Sequence, residues 1–378
     1  MIIRNAMVYR ENKTFSRQDI RITDGIFTEI GSSLSVVEGE QILDAEGLYA
    51  VPGLIDIHFH GCMGHDFCDG TVEAIDAITK YEASIGVTSV CPATMTISVE
   101  ELAQVMDAAR EYKEGPSRPG QSSLVGINME GPFISTAKKG AQDIKHIRLC
   151  DKALFRNLQE RSGGLVKLVD IAPENEGAME FIDALHDEVG ISLAHTTADY
   201  NTAKEAYNRG ARHATHLYNA MPPFTHRAPG VIGAAFDSPN CRAELICDGV
   251  HIHPSVVRAT FQMFGDDRMI LISDSMRATG MEDGLYTLGG QDVAVKGKYA
   301  ALVSDGTLAG SVTNLMDCMR TAVKDMQIPL ESAIACATMN PAKAIGIYEK
   351  YGSISEGKIA NIVLLDKNLN LKQVIING

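Results

Sequence analysis

Two histidines stand two positions apart at the end of an apolar run. His58 and His60 belong to the stretch GLIDIHFHG, residues 53–61, which is apolar enough to be a buried strand. Side chains on a strand alternate between its two faces, so both imidazoles would lie on one face and share a neighbour. Imidazole is the commonest metal ligand in proteins. The pair therefore suggests half of a metal site.

Four further candidate ligands close later apolar runs. Glu130 ends SLVGINMEG, His195 falls within ISLAHTT, His216 within ARHATHL, and Asp274 within MILISDS. In a barrel of parallel strands, all carboxyl ends open on the same mouth, so these residues would converge although they span more than two hundred positions. A structural explanation would need a separate partner for each buried polar group, whereas a divalent metal satisfies them together. The pattern predicts a metal site.

The elements that must position these residues alternate along the chain. Eight short apolar runs between residues 53 and 275 are separated by stretches of helical period, such as 71–86, 98–112 and 175–190. Near-continuous apolar strands alternating with helices predict an α/β fold with a parallel sheet covered on both faces. Eight strands favour a TIM-like (β/α)8 barrel. The missing G-x-G-x-x-G after the first strand argues against a dinucleotide-binding sheet.

Both ends of the chain predict strands and turns. The first fifty residues contain a hairpin signal at Asp24 and Gly25, and the end contains GKIANIVLLD and LKQVIING. We expect a small β-sandwich domain built from both termini, residues 1–52 and 347–378, flanking a barrel of residues 53–346.

Composition narrows the class of protein. No apolar run approaches the ~20 residues of a membrane helix, and the N-terminus shows no signal peptide, so we expect a cytoplasmic protein without membrane contact. The eight cysteines are scattered without C-x-x-C spacing and are interpreted as reduced thiols. A net charge of -14 argues against a nucleic-acid partner. An anionic ligand would need a local basic clamp.

The remaining polar residues divide into two groups. His251, in CDGVHIHP, falls just past the seventh run and is assigned to the same mouth, while His253 is interpreted as structural. Cys62 is interpreted as packing, because a soft thiolate suits hard carboxylate neighbours poorly. No role is assigned to four histidines in apparent helix or loop contexts: His146, His186, His213 and His226.

Eight segments, in this order and spacing, resemble the N-acetylglucosamine-6-phosphate deacetylase family of the amidohydrolase superfamily. They are PGLIDIHFHG, NMEGPFIS, KKGAQD, AHTTAD, THLYNAM, CDGVHIHP, SDSMRATG and GTLAGS. The resemblance covers essentially the whole chain. EGPF followed by THLYNAM separates this branch from dihydroorotases and ureases, which usually place a carboxylated lysine where this chain has Glu130.

The resemblance implies the hydrolysis of N-acetylglucosamine 6-phosphate to glucosamine 6-phosphate and acetate. It implies a divalent zinc, iron or manganese ion on Glu130, His195 and His216, with Asp274 as catalytic acid/base and His251 on the substrate acetamide. The sugar and phosphate contacts it implies are Ala141, Gln142, Asn219, Ala220, Arg227, Leu308, Ala309 and Gly310. Arg227 would reach in from the neighbouring subunit of a homodimer.

Differences among members of the family at two places leave alternatives open for this chain. Some members of the family carry a histidine where this chain has Gln142, which leaves that sugar contact undecided. Other members replace His58 and His60 by Gln-x-Asn, so the pair either binds a second metal that is bridged to the first by Glu130 and completed by a hydroxide, or only makes hydrogen bonds in a one-metal enzyme. We favour two metals per subunit on ligand geometry.

Rival functions remain in the same class and outside it. The nearest is a deacetylase of the galactosamine epimer, followed by a cyclic amidohydrolase or deaminase. A non-catalytic binding protein on a decayed barrel is the rival from another class, but decay normally removes ligands and all are present here.

Overall fold

The structure is a computed structural model that describes every residue from Met1 to Gly378 and contains twenty-one strands and ten α-helices. The strands are β1 (Ile2–Tyr9), β2 (Phe15–Thr23), β3 (Ile26–Gly31), β4 (Ile42–Asp44), β5 (Tyr49–Pro52), β6 (Leu54–Asp56), β7 (Gly61–Cys62), β8 (His65–Asp66), β9 (Val87–Val90), β10 (Ser123–Leu124), β11 (Ile127–Met129), β12 (Val166–Ile171), β13 (Gly190–Leu193), β14 (His213–Ala214), β15 (Arg242–Ile246), β16 (Met269–Ile272), β17 (Gly284–Leu288), β18 (Gln291–Lys296), β19 (Tyr299–Leu302), β20 (Ile362–Leu365) and β21 (Leu371–Ile375). The helices are α1 (Val72–Ser84), α2 (Val99–Glu114), α3 (Lys152–Arg161), α4 (Ala178–Leu185), α5 (Tyr200–Arg209), α6 (Gly230–Phe236), α7 (Pro254–Phe264), α8 (Leu315–Lys324), α9 (Leu330–Ala337) and α10 (Met339–Ala344).

A curled parallel sheet forms the centre of the α/β fold. Strands β11 to β16 pair in chain order, and β9 pairs in parallel with β6 and β10. Backbone hydrogen bonds continue the sheet beyond these strands: Thr94 N donates to Asn128 O (2.9 Å) and Asp274 N donates to His58 O (2.9 Å). The segment that follows β6 is thereby bonded to the segment that follows β16. The eight apolar runs each contain a strand, which confirms that part of the prediction.

The predicted helical stretches become α1, α2 and α4. Ser98 and Glu101 form a reciprocal capping box at the start of α2. Helix α1 ends just before Gly86, whose φ of +93° favours a residue without Cβ. Helix α4 is shorter than the predicted 175–190: it ends at Leu185, and a turn follows because the chain must enter β13 at Gly190.

A second sheet joins the two ends of the chain. Strand β20, near the C-terminus, pairs antiparallel with β5, and the order is β21-β20-β5-β1-β2-β3, with β4 also on β1. The predicted hairpin at Asp24 and Gly25 is confirmed, since both residues have positive φ (49° and 77°) between β2 and β3. A separate apolar cluster, including Ile3, Ile20 and Phe27, packs on this sheet.

A three-stranded antiparallel sheet, β17 to β19, interrupts the α/β region and was not predicted. It lies between β16 and α8, and its Leu288 and Val293 pack with Met95 and Met276. The sequence carries a signal for it, because Gly289 and Gly290 separate two alternating runs, which is typical of a hairpin.

Two other expectations concern whole-chain features. None of the helices combines the length and the apolar character that a membrane crossing requires. All eight cysteines are free; six are buried, including Cys62, and Cys68 and Cys150 are half-buried.

Glu82 on α1 yields a prediction about pH and stability. It is 1% exposed, neither carboxyl oxygen has a hydrogen-bond partner, and burial together with the charge of Asp56 raises its pKa well above the ordinary 4.5. Above pH 4.5 the unfolded chain releases this proton while the folded chain keeps it, so this group lowers the free energy of unfolding as pH rises.

We therefore expect Glu82→Gln to remove a pH-dependent penalty. The variant should gain stability over the parent from about pH 5 upward, by at most about 1.4 kcal/mol per pH unit, with no gain at lower pH. Urea unfolding across this range measures the difference, and the exposed Glu73→Gln on the same helix is the control. Parallel pH profiles for Glu82→Gln and the parent would contradict the assignment.

Candidate active site

Four imidazoles surround the Glu130 carboxylate just beyond the carboxyl ends of the parallel strands. Glu130 Oε1 lies 3.0 Å from His216 Nε2, 3.1 Å from His195 Nε2 and 3.5 Å from His58 Nε2. Its other oxygen, Oε2, lies 3.4 Å from His60 Nε2. All five side chains are buried. One carboxylate thus faces imidazoles supplied by three different strands.

Asp274, two residues after the end of β16, completes the group. Its Oδ1 is 3.3 Å from His60 Nε2 and 4.0 Å from His58 Nε2. Burial alone would raise the pKa of Asp274, but the hydrogen bond with His60 and the neighbouring His58 hold it below its ordinary value. The structure therefore brings all six residues of the predicted metal site into one cluster.

The donor set fits a divalent metal ion. His58 Nε2 is buried without a hydrogen-bond partner, which is costly for a polar atom unless something absent from the protein satisfies it. The Nε2 atoms of His195 and His216 face each other at 3.2 Å. Imidazole nitrogen with carboxylate oxygen suits zinc, iron and manganese. Two overlapping triads, His58/Glu130/His216 and His58/His60/Asp274, have their ligand atoms within 4.8 Å of one another.

The backbone at three of these residues is strained. His195, His216 and Asp274 have φ values of +43°, +28° and +50°, in the left-handed region that residues with a Cβ rarely adopt. Each lies two residues after the end of a short parallel strand. Strain of this kind is typically found at functional sites, where surrounding bonds hold it in place. One such bond is Asp274 N to His58 O.

Glu244 supports this cluster from beneath. Its carboxylate accepts hydrogen bonds from His58 Nδ1 (3.0 Å), His213 Nε2 (2.8 Å) and the backbone N–H of His216 (3.1 Å). Burial would raise its pKa, but His58 and His213 hold the pKa of this carboxyl well below its usual range. The bond at Nδ1 leaves Nε2 of His58 free to bind a metal, an arrangement common around metal sites.

His251 is fixed by a carboxylate of its own. Its Nδ1 lies 2.8 Å from Asp248 Oδ2, while Asp248 Oδ1 accepts from the backbone N–H groups of Val250 and His251. Burial opposes the charged imidazole, but the bond to Asp248 outweighs it and raises the pKa of His251 above 6.5. The ring is thereby held with its other nitrogen available to the cavity that it lines.

A cavity of about 380 Å³ opens above the cluster. Seven of the residues predicted to contact the substrate line it: Ala141, Gln142, Asn219, Ala220, His251, Leu308 and Gly310. Ala309 lies between two lining residues, but its side chain packs in the apolar cluster under β17 to β19 and its N–H donates to Ala300 O. Arg227 is exposed on the loop after β14 and does not line the cavity of its own chain.

Gln142 is already engaged by the protein. Its Nε2 donates to Glu130 Oε2 (2.7 Å) and its Oε1 accepts from Thr96 N (2.6 Å). The side chain is 2% exposed. Gln142 therefore orients the central carboxylate as well as lining the cavity.

Sequence reasoning missed the supporting residues. His213 was placed in a helix or loop without a role; it is instead buried in β14 and bonded to Glu244. Glu244 was detectable as a lone acid inside an apolar strand, since a buried charge requires a partner. Lys138, also missed, lines the cavity, and its carbonyl oxygen lies 2.8 Å from His195 Nδ1.

Comparisons with known proteins agree along the whole chain. The model of the amidohydrolase family matches residues 49–378. The N-acetylglucosamine-6-phosphate deacetylase of Bacillus subtilis (strain 168) is 37% identical over 382 residues, covering 100% of this chain and 96% of the relative. The N-acetylgalactosamine-6-phosphate deacetylase of Escherichia coli O157:H7 is 32% identical, covering 100% and 98%. The crystal structure of N-acetylglucosamine-6-phosphate deacetylase from Pasteurella multocida superposes with a TM-score of 0.93 at 28% identity, covering 100% and 98%.

We expect Glu244→Gln to weaken metal binding. The amide keeps the shape of the side chain but offers one acceptor oxygen where the carboxylate offers two, so it cannot hold both His58 and His213. Loss of such an outer partner typically costs about 10- to 100-fold in metal affinity. Metal content during titration with a competing chelator measures this effect. The control is Glu82→Gln, which changes a buried carboxyl outside the cluster. Metal affinity of Glu244→Gln equal to that of the parent would contradict the supporting role of Glu244.

Proposed function

The chain belongs to the amidohydrolase family, and we propose that it hydrolyses the acetamide of N-acetylglucosamine 6-phosphate, releasing glucosamine 6-phosphate and acetate. It is a hydrolase that acts on a linear amide. The observation that carries the choice of substrate is the 37% identity to a deacetylase of this name over the full chain. The buried His/Glu/Asp cluster at the floor of a cavity supplies the matching chemistry.

We propose that the parallel strands form a closed (β/α)8 barrel over residues 53–346. The bonds from Asp274 N to His58 O and from His60 N to Ser275 O support closure between the first and last strands. We further propose that residues 1–52 and 347–378 form one small β-sandwich domain. Its support is the pairing of β20 with β5 around a separate apolar cluster.

Two divalent ions are proposed for each subunit, drawn from zinc, iron and manganese. Glu130, His195 and His216 would hold one, and His58, His60 and Asp274 the other, with Glu130 shared because each of its oxygens faces one member of the His58 and His60 pair. Metal analysis of a His58→Gln, His60→Asn double variant would give one equivalent where the parent gives two. When bound, such ions lower the pKa of water from about 15.7 toward ~7 and polarise a carbonyl.

Asp274 would carry the proton transfers, and His251 would stabilise the negative charge that develops on the substrate. Amide hydrolysis requires removing a proton from the attacking water and supplying one to the departing nitrogen. Asp274, at the cluster and lining the cavity, can do both in turn. His251, held by Asp248, can donate a hydrogen bond to the acetamide oxygen as negative charge develops there.

The substrate phosphate requires a cation in a protein of net charge -14. Arg227 has no ion-pair partner in its own chain, and we propose that it completes the cavity of the partner subunit in a homodimer. A guanidinium at contact distance outweighs distant carboxylates, which are screened over ~8 Å at physiological salt. Asn219, Ala220 and the loop Leu308 to Gly310 would contact the sugar.

The galactosamine epimer is the second candidate substrate. It is favoured by the 32% identity to a deacetylase that is named for it. We also propose a cytoplasmic location, which the eight free cysteines support, since a reducing compartment keeps thiols unpaired. No nucleic-acid or membrane partner is proposed.

The assay of the function uses the purified, metal-loaded enzyme with both epimeric 6-phosphates. Amine release should be faster from N-acetylglucosamine 6-phosphate, and Asp274→Asn should lower turnover by about 10²-fold or more with substrate binding largely retained, because the amide cannot carry the proton. Preference for the galactosamine epimer would select the second candidate. Near-normal turnover in the variant would contradict the role of Asp274.

Arg227→Ala should raise KM for the phosphorylated substrate far more than for unphosphorylated N-acetylglucosamine, because only the former loses a charge-assisted contact. If Arg227 acts across the subunit boundary, mixing Arg227→Ala with Asp274→Asn protein should restore part of the activity in heterodimers. Heterodimers that form but stay inactive would place Arg227 outside the partner's site.

A further inference from the structure

We propose that a second cavity, at the amino ends of the parallel strands and so opposite the active site at their carboxyl ends, binds a small phosphate-bearing anion. This basal cavity has a volume of about 460 Å³. Four cationic side chains line it: Lys167, Arg212, Arg242 and Lys343. This site is separate from the one that acts on the amino sugar.

The position of the basal cavity follows from the strands. Its lining includes Val166, Gly190, His213 and Arg242, which are the first residues of β12, β13, β14 and β15. The active-site ligands follow the opposite, carboxyl ends of these and neighbouring strands. An anion in the basal cavity would therefore be separated from the substrate by the length of the sheet.

The four cations of the basal cavity outnumber the carboxylates that line it. None of the four makes an ion pair, although the chain carries an excess of carboxylates. Two carboxylates share the lining: Asp187 lies 3.3 Å from Nδ1 of His186, which also lines the cavity, and Glu188 lies 2.6 Å from the guanidinium of Arg156. Positive charge is thus in excess at this cavity in a protein of net charge -14.

The absence of side-chain partners is unusual among the arginines of this chain. Only four arginines in the chain make neither a side-chain hydrogen bond nor an ion pair, namely Arg148, Arg212, Arg227 and Arg242. Two of these four line the basal cavity, and a third, Arg227, is the one proposed for the substrate phosphate. Arginines with no partner inside the protein are available to a ligand.

Arg212 and Arg242 are held side by side. Arg242, the first residue of β15, donates its backbone N–H to the carbonyl oxygen of Arg212, the residue just before β14 (3.0 Å). Burial and then the charge of Arg212 lower the pKa of the Arg242 guanidinium. Two adjacent positive charges without an ion-pair partner repel each other. An anion bound between them would be attracted to both.

The residue types select the chemistry of the anion. A guanidinium presents paired N–H groups that match phosphate oxygens bidentately, and lysine adds a point charge. Two arginines with two lysines suit an anion with more than one negative charge. The volume admits an inorganic phosphate or diphosphate or a small phosphorylated metabolite, but not a folded partner. Inorganic anions and phosphorylated metabolites share the phosphate group, so ligands of both kinds have to be compared.

The test uses the metal-loaded enzyme in the Arg227→Ala background, which lacks the proposed active-site phosphate contact. Pyrophosphate, inorganic phosphate and glucosamine 6-phosphate are each titrated by calorimetry. Adding Arg212→Gln and Arg242→Gln together should weaken binding of at least one of them by about tenfold or more, whereas Arg110→Gln, on the exposed side of α2, should not. Which probe binds assigns the source as inorganic or organic. Unchanged affinity on loss of both arginines would overturn the proposal.

A second measurement needs no variant to fold. Phenylglyoxal modification of the unaltered enzyme, resolved by mass spectrometry, should show Arg212 and Arg242 protected by the probe that binds, with Arg110 unprotected. Equal modification of Arg212 and Arg242 with and without every probe would overturn the site. Deacetylase activity should be unchanged by Arg212→Gln and Arg242→Gln, because neither residue lines the active-site cavity.

Discussion

The contact of four imidazoles with the carboxylate of Glu130 is the interaction that the rest of the structure has to make possible. Imidazoles from three strands lie within 3.5 Å of its two oxygens, and no segment of local sequence could bring them there. Parallel strands whose carboxyl ends meet at one mouth satisfy that requirement. The curl of the sheet, the bond between its first and last strands and the strained backbone at His195, His216 and Asp274 all serve this convergence.

A cluster of charged and polar side chains inside a protein needs an outer layer of partners. Glu244, Asp248 and Gln142 supply it, each by hydrogen bonds that fix the orientation of a site residue. Glu82 shows the contrast, since it is equally buried, has no partner and keeps its proton. His213 reaches further still: it lines the basal cavity and bonds to Glu244, which bonds to His58. A continuous chain of side-chain contacts therefore joins the two ends of the parallel sheet.

The sequence predicts the strands and the six clustered residues because both depend on local pattern. The spacing of His58 and His60 places them on one face, and the other four candidates are polar residues near the ends of apolar runs. The partners of these residues depend on which strands are adjacent and on loop paths, and the sequence does not display either. Glu244 bonds to a residue 186 positions away, and Gln142 reaches Glu130 only through the path of the loop between them. The short sheet β17 to β19 was not predicted, although Gly289 and Gly290 are typical of a hairpin. Helix α4 was predicted too long, because the helical spacing of apolar residues continues past the turn that ends it.

The bond between Asp274 N and His58 O has a consequence for the order in which the protein can be built. Its two ends are more than two hundred residues apart, so on the ribosome the histidine pair emerges long before the strand that completes its surroundings. Strand β5 likewise waits for β20, three hundred residues later, to cover its edge. Contacts of such long range make folding slow and leave unpaired strand edges exposed in the growing chain. The half-made protein would therefore depend on protection from aggregation until its last strands arrive, and the full set of proposed metal ligands is present only once Asp274 has emerged.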